Sequence, residues 1–128
     1  MDPMSDTDPQ SRTDIDLEAL CRVATLVRAA TRLANTAAGT DLRSPWLDVV
    51  AETVTASSYL TDVPDVPIAD WAVAEEGVSV GAAAPLALTT LSKAADELDS
   101  AGGRRDHRSV LVRAALTDAI TLARGIRP

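Results

Sequence analysis

The sequence contains very few aromatic residues and a single cysteine. Its 128 residues include no phenylalanine, one tyrosine and two tryptophans, and Cys21 is the only thiol. One cysteine excludes an internal disulfide and a zinc site built from several cysteines. The hydrophobic residues, 46% of the chain, are almost all alanine, valine and leucine. Because these side chains are small or favour helices, they indicate a closely packed helical bundle.

Long apolar segments are also missing. No apolar run approaches the roughly 20 residues that a transmembrane helix needs. Residues 1–10 are acidic and polar, unlike the basic and then apolar start of a signal peptide. We therefore predict a cytoplasmic protein with no membrane partner. Eleven arginines against one lysine are typical of a GC-rich bacterial genome.

Side chains suited to catalysis or metal binding are few. His107 is the only histidine, so no pair of histidines at metal-ligand spacing exists. Cys21 is expected near the border of the polar face of its helix, where nothing makes the thiol reactive. Neighbouring carboxylates such as Glu75 and Glu76 point about 100° apart on a helix and do not share a site. We therefore predict no catalytic, metal or cofactor-binding residue and no cofactor, and we expect a protein that is not an enzyme.

Hydrophobic periodicity divides the chain into a leader and one domain. Residues 1–12 lack periodicity and are predicted to form a disordered leader. Residues 13–128 are predicted to fold as one all-α domain, an antiparallel bundle of four long helices and one short helix. The long helices are predicted over residues 13–38, 45–61, 85–100 and 106–124, and the short one over residues 68–77. Residues 78–84 favour neither helix nor loop.

Serine, proline and glycine mark the predicted ends of these helices. Ser44 is expected to cap the second helix, with Pro45 at its first position, where a missing N–H is tolerated. Gly39 and Gly125 are each expected to follow the last residue of a helix in the left-handed conformation. The prolines within residues 62–67 predict an extended connector.

The apolar positions of each helix predict which side chains form the core. In the second helix, the inner face is expected to carry five side chains: Trp46, Leu47, Val50, Val54 and Leu60. Across the bundle, the predicted core contains Leu20, Val27, Val50, Val54, Leu91, Leu98, Val112 and Leu116.

Charge is distributed very unevenly along the chain. Residues 104–128 contain six arginines and two aspartates, whereas residues 1–103 contain six basic and seventeen acidic residues, and the whole chain has a net charge of −7. Such segregation indicates that one element docks against another, or that one face meets a charged partner. We expect these arginines to contact carboxylates of this chain or of another copy. Contact with nucleic acid is disfavoured by the acidic remainder of the chain.

The segment with the strongest argument for binding is residues 102–108, in which two glycines precede an arginine-rich start of a helix. The candidate binding residues are Arg104, Arg105, His107 and Arg108. Free N–H groups, the helix dipole and guanidinium groups together form an anion site. Three interpretations are open: a tight turn between helices, a dock for carboxylates, or a site for a phosphate ligand. For His107 alone, we predict a solvated residue in the first turn of a helix.

These observations leave three classes of function. The leading hypothesis is a non-enzymatic helical interaction module, a small adaptor, regulator or assembly subunit acting through homo- or hetero-oligomer contacts. The alternative is a protein that binds phosphate, a nucleotide or another anionic small ligand at residues 102–108, which predicts a pocket there lined by arginines and Trp46 or Trp71. The third is a nucleic-acid-binding regulator.

Overall fold

The computed structural model describes residues 17–67, 77–101 and 107–126. Within these ranges the chain forms four helices and no strand: α1 (Leu17–Ala38), α2 (Trp46–Ser58), α3 (Val80–Ser100) and α4 (His107–Gly125). The all-helical prediction is therefore confirmed for the described residues. The predicted leader, the short helix over residues 68–77 except for Gly77, and the first residues of the predicted first helix lie outside them.

The four helices pack as a bundle in which each contacts two neighbours. The most extensive interface joins α1 to α3, and further interfaces join α1 to α2, α2 to α4 and α3 to α4. A single apolar core fills the space between them, with many alanines among a few leucines and valines. Because alanine side chains are small, they let the helix backbones approach one another closely.

Helix α1 contributes the largest part of the core and ends as the sequence predicts. Its buried face includes Leu20, Val23, Val27 and Leu33. Gly39 follows the helix with a φ of +62°, a left-handed conformation that glycine adopts without strain. At the other end, Leu17 was expected on the inner face but is 68% exposed, because it precedes the first turn that packs on the bundle.

Helix α2 begins close to its predicted start but turns a different face to the core. Pro45 has helical dihedral angles, and the Ser44 Oγ accepts a hydrogen bond from the Trp46 N–H at 3.2 Å. The helix ends at Ser58, three residues before the predicted end at Thr61.

The predicted inner face of α2 is wrong in two of its members. Val54 is 51% exposed and Val50 is only partly buried. Trp46 and Leu60 are buried as predicted, and the other buried positions are Val49, Thr53 and Ala56. Thr53 is tolerated there because its hydroxyl donates to the Val50 carbonyl at 2.8 Å within the helix.

Helix α3 begins at Val80, five residues before the predicted start at Pro85. Ser79 caps the helix, and its hydroxyl oxygen accepts from the Ala82 N–H at 3.2 Å. Pro85 therefore lies within the second turn, where it removes one helical hydrogen bond. The earlier start places Ala83 in the core, and Ala87 is buried one turn further on.

Helix α4 contributes Val112, Ala115 and Leu116 to the core, as its periodicity predicts. The prediction for its end is wrong: Gly125 is the last helical residue and is not among the glycines with positive φ. The Ile126 N–H donates to the Ala123 carbonyl at 3.2 Å, so the last turn tightens without a left-handed residue.

The described residues confirm six of the eight side chains predicted for the core. These six are Leu20, Val27, Leu91, Leu98, Val112 and Leu116, and each is almost completely buried. The two exceptions, Val50 and Val54, belong to the rotated face of α2.

Candidate functional site

The structure describes only part of the predicted anion site at residues 102–108. Arg104 and Arg105 lie outside the described residues. His107 is the first residue of α4 and is exposed, and Arg108 follows it as a partly buried residue. The candidate site can therefore be built upward only from Arg108 and from what it contacts.

Arg108 binds a carboxylate of its own chain. Its Nη1 lies 2.8 Å from the Asp62 Oδ1 and 3.5 Å from the Tyr59 carbonyl oxygen. Tyr59 follows the last residue of α2, and Asp62 lies in the connector after it. The contact therefore joins the start of α4 to the end of α2. For this arginine, the carboxylate dock is the interpretation that the geometry matches.

Arg28 of α1 holds the same connector from the opposite side. Its guanidinium donates to the Leu60 carbonyl at 2.8 Å, to the Val63 carbonyl at 2.6 Å and to the Asp65 carboxylate at 2.6 Å. Three acceptors around one guanidinium use the fork geometry that distinguishes arginine from lysine. Leu60 and Val63 are buried, so these donors satisfy carbonyls at the edge of the core.

Thr25, one turn before Arg28, completes the attachment. Its hydroxyl donates to the Cys21 carbonyl at 2.8 Å and accepts from the Val66 N–H at 2.9 Å. We call residues 60–66 with Thr25, Arg28 and Arg108 the connector clamp. It fixes a proline-containing segment that forms no regular secondary structure, because side chains replace the hydrogen bonds that a helix would supply.

Two further arginines attach the end of α3 to its neighbours. Arg113 of α4 donates to both carboxylate oxygens of Asp99, through Nε at 3.0 Å and Nη2 at 3.2 Å. Arg22 of α1 donates through Nε to the Glu97 Oε1 at 2.9 Å. The basic C-terminal segment is thus matched, at Arg108 and Arg113, to carboxylates of the same chain.

Hydrophobic periodicity puts Arg22, Thr25 and Arg28 on the polar face of the first helix, and it does not indicate their contacts. The one signal in the sequence was the pair Asp62 and Asp65, three residues apart within the proline-rich connector. Which arginine each aspartate meets depends on the path of the connector across α1, and hydrophobic periodicity carries no information about that path.

Helices α1 and α2 form a cleft on the outer surface of the bundle. It has a volume of about 430 Å³, and its described lining includes Arg28, Arg32, Val54, Ser57 and Thr61. The exposed Val54 lies in this cleft, beside polar and charged groups. Val54, which was predicted to lie in the core, therefore lines a cleft on the surface.

A larger cavity lies at the opposite end of the bundle from the last residues of α3. Its volume is about 660 Å³, and it is bounded by the ends of α1 and α4 and the starts of α2 and α3. Trp46 lines it, about 30 Å from the far end of α3 at the helical rise of 1.5 Å per residue. The expected pocket of arginines and Trp46 at residues 102–108 is therefore wrong for Trp46.

In the described part of the chain, the other groups weighed as candidates lie in the core or bind arginines. Cys21 is buried in the core, not at the border of a polar face. Within the described ranges, no group of three or more histidine, cysteine or acidic side chains is arranged to hold a metal ion. Glu97 and Asp99 bind arginines.

Comparison with known proteins adds no relative. No family model, curated protein sequence or solved structure matches this chain. Among the helices that the structure describes, none combines the length and the apolar character required to cross a bilayer.

Proposed function

We propose that this chain is a non-enzymatic helical interaction module that binds another protein chain, either a second copy or a different partner, over the outer surface of α2. The observation that carries the proposal is a second apolar stripe on this short helix. Its residues are Leu47, Val50 and Val54, which we call the outer stripe of α2. They are spaced at i, i+3 and i+7, the spacing of one helix face.

The outer stripe of α2 lies beside the face that fills the core, and its Leu47 and Val50 are partly buried against the edge of that core. Trp46, Val49, Thr53 and Ala56 are buried, whereas Val54 is half exposed. A helix of a small bundle needs only one apolar face to fold. The surface of Val54, and the parts of Leu47 and Val50 that the core leaves uncovered, gain further burial only when another molecule covers them, which supports their use as a contact surface.

The cleft beside this stripe provides polar groups at the rim of the contact. Arg32, Ser57 and Thr61 surround Val54. An apolar centre with a polar rim is the usual composition of a protein interface.

The proposal includes the finer architecture and location of the protein. We propose that neighbouring helices run antiparallel, which is supported by the cavity that gathers the ends of α1 and α4 with the starts of α2 and α3. We further propose a cytoplasmic location, supported by the single cysteine. For the alternative of a phosphate site at residues 102–108, the described Arg108 is engaged with Asp62.

Val54→Asp tests the proposed function. It places a charge on the outer stripe without touching the core, so helix content is expected to stay constant while self-association, or capture of the partner, falls at least tenfold. Sedimentation and light scattering over a range of concentrations measure self-association. Val110→Asp is the matched control, because Val110 has similar exposure on α4. If Val54→Asp and Val110→Asp both associate as strongly as the unmodified protein does, the outer stripe is not the contact.

A further inference from the structure

The cavity at the Trp46 end has the dimensions and chemistry of a small-molecule site. Its 660 Å³ lie within the range of about 300 to 1,000 Å³ that ligand pockets occupy. Its lining comes from the ends of all four helices rather than from the length of two. A groove that holds a docked helix runs along the length of two helices. Because this cavity does not, it fits a compact molecule. This inference does not rest on the proposed contact over α2.

The described lining is mostly apolar and uncharged. Its members are Ala37, Ser44, Pro45, Trp46, Val80, Gly81, Ala84, Pro85, Leu88, Ala123 and Ile126. Most of these side chains are short, so the walls leave room that larger side chains would fill. An ion would lose its hydration here without gaining an opposite charge from these residues, so the walls select a neutral molecule.

One buried hydrogen-bond donor in this lining, on Trp46, lacks an acceptor among the described residues, and the partly buried Ser44 carries a second donor nearby. Trp46 is 8% exposed, and its indole N–H donates to none of the described side chains or carbonyls. Ser44 accepts from the Trp46 backbone N–H, which leaves its own hydroxyl proton to donate. A buried donor without an acceptor is unfavourable, so an acceptor atom on a ligand would stabilise this end of the bundle.

We propose that this cavity binds a neutral, largely apolar small molecule whose carbonyl or ether oxygen accepts a hydrogen bond from Trp46 or Ser44. The apolar body contacts Val80, Leu88 and Ile126. The donors orient the oxygen, while the uncharged walls reject carboxylates and phosphates.

A neutral naphthyl ketone, 6-propionyl-2-dimethylaminonaphthalene, tests the site because its fluorescence shifts to the blue in apolar surroundings. We expect saturable binding of one dye per chain. The anionic dye 1-anilinonaphthalene-8-sulfonate should bind at least tenfold more weakly. Absence of saturable binding of the ketone, or stronger binding of the anion, would overturn the proposal.

Gly81→Phe locates the bound dye. A Cβ at Gly81 meets no atom within 4 Å, so the first carbon of the new side chain has room, and circular dichroism checks that the variant keeps its helix content. Because Gly81 lines the cavity, its aromatic ring should weaken dye binding at least tenfold, and Gly81→Leu should do so to a smaller extent. Ala82→Phe is the matched control: Ala82 is exposed, outside the described lining, and its substitution should leave binding unchanged. Equal affinity in all three variants would place the dye elsewhere.

Trp46→Phe tests the hydrogen bond while keeping an aromatic ring in the wall. Loss of the donor should weaken ketone binding about twofold to tenfold. The matched 6-propyl naphthalene, which lacks the carbonyl, should bind both proteins equally. If Trp46→Phe weakened the binding of both dyes equally, the hydrogen bond from Trp46 would not contribute to binding. If light scattering instead showed a dimer that Gly81→Phe dissociates, a second copy would be the occupant and the small-molecule site would be refuted.

Discussion

At one end of the bundle, arginines hold the helices and the connector together, whereas at the Trp46 end the helices enclose an apolar cavity. All five described ion pairs lie in the first of these regions, which contains the first half of α1, the ends of α2 and α3 and the first half of α4. At the Trp46 end, the contacts come from short apolar side chains and two prolines. The same chain therefore uses two different means to position its helices.

The difference follows from where the chain is irregular. The connector clamp replaces missing helical hydrogen bonds with guanidinium and hydroxyl groups. At the Trp46 end, the junction between α1 and α2 is only a few residues long, and it needs no such side-chain clamp. Ion pairs specify which groups meet, whereas apolar contacts leave an opening that a ligand can occupy.

The largest effect on the free energy of unfolding is expected from shortening side chains of the core, which both ends of the bundle share. Leu91→Ala and Leu116→Ala should each lower the free energy of unfolding by about 2 to 5 kcal/mol, because both side chains are fully buried. Denaturation by urea measures these losses. Leu122→Ala, at a partly exposed position of α4, should cost less than about 1 kcal/mol. Losses below about 1 kcal/mol at both buried sites would refute the assignment of the core.

Removing a side chain of the connector clamp is expected to have an intermediate effect on the free energy of unfolding. Arg28→Ala removes the donors to two carbonyls and to Asp65, and should lower the free energy of unfolding by about 1 to 3 kcal/mol. Hydrogen exchange should also become faster at the Val66 amide, which donates to Thr25. Arg124→Ala, on the exposed side of α4, should change stability by less than about 0.5 kcal/mol. Equal effects of the two variants would show that the clamp contributes nothing beyond a surface charge.

The smallest expected effect is the coupling between Arg113 and Asp99. About a third of each side chain is exposed, so a double-mutant cycle with alanine should give about 0.2 to 1 kcal/mol. Raising the salt concentration should reduce this coupling, because screening weakens exposed ion pairs. The effect of Trp46→Phe on stability should not change with salt. If the effect of Trp46→Phe on stability depended strongly on salt, the Trp46 end would also rely on ion pairs and the two ends would not differ in this respect.

The sequence predicted the helical elements best where one periodic stripe dominates. Helices α1 and α4 bury the stripes that their periodicity indicates, and Gly39 ends α1 as expected. For α2 the prediction was right for Trp46 and Leu60 but wrong for Val54, because two apolar stripes share that helix and periodicity alone does not say which one faces inward. It also failed at the start of α3, where Pro85 resembles the first residue of a helix but lies in the second turn.

The candidate sites depend on contacts between residues that are distant in the chain. The charge segregation of the sequence anticipated that arginines of the last segment meet carboxylates, and Arg108 and Arg113 do so within the chain. The partners Asp62 and Asp99 follow from the path of the connector and the packing of α3 on α4. Arg104 and Arg105 lie outside the described residues, so their role stays a prediction.

By itself, the sequence determined the helical class and most of the core, because amphipathic periodicity and small apolar side chains act locally along each helix. Tertiary structure alone decided which stripe of α2 is buried, which carboxylate each arginine binds, and that Trp46 lines a cavity with Val80 and Ile126. These outcomes depend on how four helices share one volume, and side chains up to 80 residues apart compete for it.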